Sequence, residues 1–110
     1  MADLFEMESE AEKLRDDGKY EDAIAKLNEI LALDEKFVRA HMALAVIYGR
    51  MHAHEKAIEH GERACEIEPT DSFNFTAMSV VYQRAFSETG NPQYKDLAEQ
   101  AMERSRMLMQ

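Results

Sequence analysis

An all-α superhelix of three helix–turn–helix units, six helices in all, follows from three features of these 110 residues. The first is a self-match at a step of 34. Met7, His41 and Phe75 superpose, as do Ala11, Ala45 and Ser79, then Leu14, Tyr48 and Tyr82. Ala23 falls on Ala57, Ile24 on Ile58 and Leu33 on Ile67. A period of that length belongs to paired helices that bury their apolar faces only against neighbouring pairs. The second is scarce punctuation: four Gly, two Pro and no Trp favour long helices over many short strands. The third is composition, since 45% apolar residues excludes disorder and 32% charged residues suits helices with much exposed surface. Such a chain works through a surface assembled from repeats rather than through a catalytic pocket.

The elements follow in order. Leu4, Met7, Ala11 and Leu14 recur at three- and four-residue steps and predict a first helix over about Asp3 to Asp16, ended by Gly18 as a left-handed cap. A second helix, about Tyr20 to Leu33, turns Ala23, Ile24, Leu27, Ile30 and Leu31 inward, and Asp34-Glu35-Lys36 is the turn. A third runs from Val38 to about Met51, followed by a turn through His52-Ala53-His54. The fourth, about Glu55 to Ile67, is stopped by Pro69, which cannot continue the hydrogen-bond ladder. Asp71 caps a fifth helix beginning near Ser72. Here the period breaks: nine residues separate Tyr48 from Ala57, but sixteen separate Tyr82 from Ala98. The roughly seven added residues, around Ala85-Phe86-Ser87-Glu88-Thr89-Gly90, predict an extended connection inside the third unit. Gly90 ends the fifth helix, Asn91 caps the sixth and Pro92 opens it. The sixth carries Leu97, Ala98, Ala101, Met102, Ser105 and Leu108 on one face and Lys95, Glu99, Glu103 and Arg106 on the other.

Charge and cysteine narrow the function. A net charge of −9 argues against nucleic acid, whose phosphates demand a basic footprint, and against an anionic membrane. The acidic crowd from Asp3 to Asp17 reads as a solvated face. Met1 to Glu6 lacks the basic and apolar regions of a secretory signal, and no stretch approaches the roughly 20 apolar residues of a span. Cys65 is alone among Glu62, Glu66 and Glu68, which reads as a buried, unreactive thiol in a cytoplasmic protein.

Taken together, these residues resemble the tetratricopeptide repeat, a helix–turn–helix unit of 34 residues. Residues 38–71 match best. Leu44 and Ala45 stand where the family places a Leu-Gly pair, Tyr48 fills the aromatic slot, Ala57 and Ala64 the small slots, and Pro69 the closing proline. The first unit keeps Ala11, Gly18, Tyr20, Ala23 and Leu27, with Glu35 in place of the proline; the third keeps Phe75, Ser79, Tyr82 and Ala98. The resemblance implies one domain over residues 1–110, with units at about 4–37, 38–71 and 72–109. Ala11, Ala45 and Ser79 then sit at helix crossings facing Ala23, Ala57 and Ala98, where a larger side chain costs about 1–3 kcal/mol. Tyr48 and Tyr82 fill the space between units, and His41 is a packed core residue. Relatives commonly end in an extra capping helix; here the polar reverse of the sixth helix is expected to serve.

The resemblance also implies a concave groove, lined by the first helix of each unit, that binds a peptide segment of a partner protein. Its expected lining is Phe5, Glu8, Glu12 and Arg15, then Arg39, Met42, Val46 and Arg50, then Phe73, Thr76, Val80, Gln83 and Arg84. Phe5 and Phe73 are the anchors. A partner's acidic end is expected at Arg50 and Arg84, and a basic end at Glu8 and Glu12. One subset of the family grips the carboxyl terminus of heat-shock chaperones with Lys, Asn and Arg. At the matching positions this chain has Glu8, Glu12, Val46, Thr76 and Val80, which repel or ignore a carboxylate.

Other chemistries fare worse. No phosphate loop or nucleophile elbow is present, so no catalytic residue is expected. His52 and His54 flank a turn beside Met51 and offer nickel or copper two imidazoles, which makes a His/Met metal-binding protein the remote alternative. A specific site needs three or four convergent ligands, so neither metal nor cofactor is expected. The competing reading is a self-assembly module, in which Met107-Leu108-Met109 or the first helix docks onto a second copy as a weak homo-oligomer.

Overall fold

Six helices form among residues 3–110, which the computed structural model describes: α1 (Leu4–Asp16), α2 (Tyr20–Leu33), α3 (Val38–Arg50), α4 (His54–Ile67), α5 (Ser72–Thr89) and α6 (Pro92–Leu108). Met1 and Ala2, part of the signal-peptide reading, lie outside these residues. No described helix is long and apolar enough to cross a membrane.

The ends are set by local chemistry. Asp3, Asp71 and Asn91 each accept a backbone N–H through a side-chain oxygen, at 2.9, 3.0 and 3.0 Å to Phe5, Phe73 and Gln93. At the end of α1, Gly18 takes φ +79°, so that its N–H bonds Arg15 and that of Lys19 bonds Leu14. This double closure satisfies carbonyls the helix leaves over. One repeat later His52 makes the same closure at φ +64°, with bonds from His52 to Gly49 and from Ala53 to Tyr48. There the left-handed backbone comes without glycine's freedom. Helix α4 begins at His54, one residue inside the turn expected from sequence.

The extra residues of the third unit do not form an extended connection. They lengthen α5 to 18 residues, against 13 in α1 and α3, and only Gly90 and Asn91 separate it from α6. Ala85 and Phe86 pack, and no breaker intervenes before Gly90 at φ +73°. Nothing in the added sequence favours leaving the helix.

Pairs α1–α2, α3–α4 and α5–α6 stack in order, with α2 on α3 and α4 on α5. One core joins Ala11, Ala23, Leu27, Ile30, Ala40, Leu44 and Ile47; a second joins Ala45, Ala57, Met78, Val81, Tyr82, Ala98 and Ala101. Tyr48 touches both, and so fills the seam between units. The small residues expected at the crossings, Ala11, Ala45, Ser79, Ala23, Ala57 and Ala98, are all buried.

Candidate functional site

An open cavity of about 900 Å³ lies along the first helices of the pairs. Phe5, Glu8, Glu12 and Arg15 line it from α1; Arg39, Met42 and Val46 from α3; Phe73 from α5. These eight stand among the thirteen residues expected in a groove. Met42 is 9% exposed and forms floor, whereas Phe5 and Phe73 are 64% and 72% exposed. Arg39 bridges the opening. Its guanidinium donates to both carboxylate oxygens of Glu8, through Nε at 2.7 Å and through Nη2. The same group lies 5.2 and 5.6 Å from the ring centroids of Phe5 and Phe37, themselves edge to face.

The remaining five residues lie elsewhere. Thr76 bonds the Ser105 hydroxyl of α6 at 2.6 Å, Val80 is half exposed, and Gln83 borders a depression with Phe86 and Met102. Arg84 packs over Gly49, and Arg50 is exposed at the end of α3. The reason is positional. Met42 and Val46 face the cavity partly because α5 lies beside α3, and Ala77 closes on Met42. Thr76 and Val80 are their equivalents one repeat on, but no described helix pair follows to wall that side. From α5 the cavity receives Phe73, Asn74 and Ala77 instead. Sequence reading missed Asn74, Ala77 and Phe37; the one available signal was an aromatic placed just before the third helix. The charge pattern also differs from expectation, because Glu8 and Arg39 neutralise each other, and Arg50 and Arg84 lie outside the cavity.

Comparison with known proteins fits this architecture. A profile of the family described as TPR repeat matches residues 11–51. The fold is that of a tetratricopeptide-repeat array. Among solved structures, the tetratricopeptide fold of the chain matches MamA with a TM-score of 0.76 at 20% identity, over 90% of this chain and 54% of MamA. It thus spans about half of MamA's length. The second TPR of Spaghetti (RPAP3), bound to the HSP90 peptide SRMEEVD, matches with a TM-score of 0.78 at 19% identity, over 96% and 91% of the two chains. SycD, the Yersinia enterocolitica type III secretion chaperone in complex with a peptide of the translocator YopD, matches at 0.63 and 18%, over 96% and 92%. No curated protein sequence matches the chain.

Outside the cavity lining, a polar network ties the turn after α2 to α3 and α4. Arg63 donates twice to Glu35, at 2.8 and 2.7 Å. His41, buried, has Nε2 2.8 Å from the Glu35 carbonyl oxygen and Nδ1 3.1 Å from Nδ1 of His60, so one proton is shared between the rings. His60 in turn stacks on Tyr48. The Arg63 hydrogen bonds hold the Glu35 carboxyl down at about 2, and burial, aided by His41, holds His60 below its ordinary 6.5. Both folded values lie below the unfolded ones. The Glu35 contribution is therefore complete above pH 4.5 and is lost as pH falls towards 2, and the His60 contribution fades as pH falls below 6.5. In thermal melts followed by circular dichroism, Glu35→Gln should melt below wild type at pH 5, and the gap should close as the buffer approaches pH 2. A gap that stays constant with pH refutes the assignment. Cys65, half-buried, has its thiol raised to about 11 by burial and by Glu62 and Asp71, so it stays protonated and unreactive.

Proposed function

We propose that this protein is a non-enzymatic interaction module that holds a peptide segment of a protein partner in the groove along α1, α3 and α5. One observation carries the reading: two large aromatics, Phe5 and Phe73, stand exposed on the first helices of the first and third pairs and face the same cavity. Exposed aromatics flanking an apolar floor are the usual anchors of a bound segment. That MamA, RPAP3 and SycD share the fold, and that two of them hold peptides, supports the class of function.

The lining also selects the ligand. Five carboxylates (Glu8, Glu12, Asp34, Glu68, Asp71) face three cations (Arg15, Lys36, Arg39), and Arg39 is already committed to Glu8. Glu12 and Glu68 have no ion pair among the described residues. The segment that fits is apolar with a flanking lysine or arginine, rather than an acidic tail such as the SRMEEVD held by RPAP3. Panning a random peptide library on the immobilised chain tests this. Apolar–basic sequences should be enriched, and Phe73→Ala should weaken them by about 2 kcal/mol, roughly 30-fold. Enrichment of acidic carboxyl-terminal peptides, or equal affinity for a Phe5→Ala/Phe73→Ala chain, overturns the reading.

A further inference from the structure

Away from the groove, the turn between α3 and α4 brings three donor atoms together. His52 Nδ1 and His54 Nε2 lie 2.7 and 2.5 Å from the same carboxylate oxygen of Glu88, and one ligand atom from each residue falls within 4.8 Å of the others. The geometry points to a binding site for a borderline divalent transition ion, zinc foremost, held by His52, His54 and Glu88.

Two departures from the repeat converge on this place. The first is His52 itself, which adopts φ +64° where the first unit uses Gly18 at φ +79°. A histidine there sacrifices on the order of 1 kcal/mol of backbone strain that glycine avoids. The second is the lengthening of α5, whose last turn carries Glu88 up to the turn. A helix of the length of α3 would end before reaching it. Ala85 in the added segment joins the buried core, but neither His52 nor Glu88 does.

The side chains are arranged as ligands rather than as a solvated pair. His54 is held in place, with only 10% of its side chain exposed; among the described residues its Nδ1 has no hydrogen-bond partner and its one polar engagement is Nε2 at this site. His52 is 73% exposed, so few neighbours oppose a small adjustment of its ring. An ion at about 2.0–2.2 Å from each donor requires the three atoms to open to roughly 3.3–3.5 Å, a movement within the reach of His52 and Glu88. Two imidazoles with one carboxylate suit zinc, nickel or copper and leave a coordination position for water, whereas magnesium and calcium prefer all-oxygen shells. Sequence reading saw the two histidines but not the third ligand, because Glu88 lies 34 residues beyond His54.

The test is titration calorimetry on the full chain, without a polyhistidine tag and freed of metal by chelation. Zinc chloride should saturate at one ion per chain, while magnesium and calcium chloride give no binding heat. Glu88→Gln should lower zinc affinity by at least about 100-fold, more than the loss of a supporting residue does. His52→Gly separates site from scaffold: it removes a ligand but relieves the strained turn, so the metal-free variant should melt above wild type while its zinc response is lost. Absence of saturation at one ion per chain, or an affinity unchanged in both variants, overturns the site and leaves two rings hydrogen-bonded to a carboxylate.

Discussion

Leu44→Ala is expected to lower the unfolding free energy by about 2–5 kcal/mol, a large share of the 5–15 kcal/mol typical of a domain this size. Leu44 is fully buried in the core that joins α1, α2 and α3, among Ala11, Leu27, Ile30 and Ile47. Cutting its isobutyl side chain back to methyl forfeits the transfer free energy of the lost atoms and leaves a cavity that small neighbours such as Ala11 and Ala40 cannot fill. The control is the same chemical change at Leu33, which is 60% exposed at the end of α2 and should cost less than about 0.5 kcal/mol. Urea titrations followed by circular dichroism compare the two. Near-equal midpoints would mean that the first two pairs are not cemented at Leu44.

How much of this was legible beforehand depended on the range of the interaction. Caps and stops were read correctly because they are local: Asp71, Gly90 and Asn91-Pro92 each act within four residues. The buried alanines were legible because a repeat forces the same crossing each time. The length of α5 was not, since the residues added before Gly90 carry no signal distinguishing a loop from further helix. The groove lining failed at Thr76 and Val80 for another reason. Periodicity assigns a residue to a face, but the array decides whether another helix covers that face, and beyond α5 the described chain supplies none. Long charged side chains were the least legible. Arg39 turns back onto Glu8, and Arg63 reaches Glu35 across 28 residues, so the free charge at each surface is set by pairings that no local pattern encodes.

The second large effect is a change of sign. Gly61, buried in α4, lies against Met78 of α5, and a Cβ added at Gly61 would overlap the Met78 sulfur. In the wild-type background Gly61→Ala must push the Met78 tail into the core formed with Ala45, Ala57 and Tyr82, at a cost of about 1–3 kcal/mol. Because Met78 is itself buried and its tail has little space to move into, a cost in the upper part of that range is expected, which outweighs the roughly 1 kcal/mol that alanine gains over glycine in a helix interior. Met78→Ala alone opens a cavity and should cost about 2–5 kcal/mol. In that background the new methyl group meets no sulfur, so Gly61→Ala should stabilise by about 1 kcal/mol. A double-mutant cycle in urea reads the coupling directly. If Gly61→Ala destabilises equally with and without Met78, the helix backbones rather than the methionine set the approach of α4 to α5. The cycle bears on function too, because that approach fixes the third unit, and with it Phe73, relative to Phe5. Widening the seam at Gly61 should therefore weaken a peptide that spans both aromatics while sparing one that engages Phe5 alone.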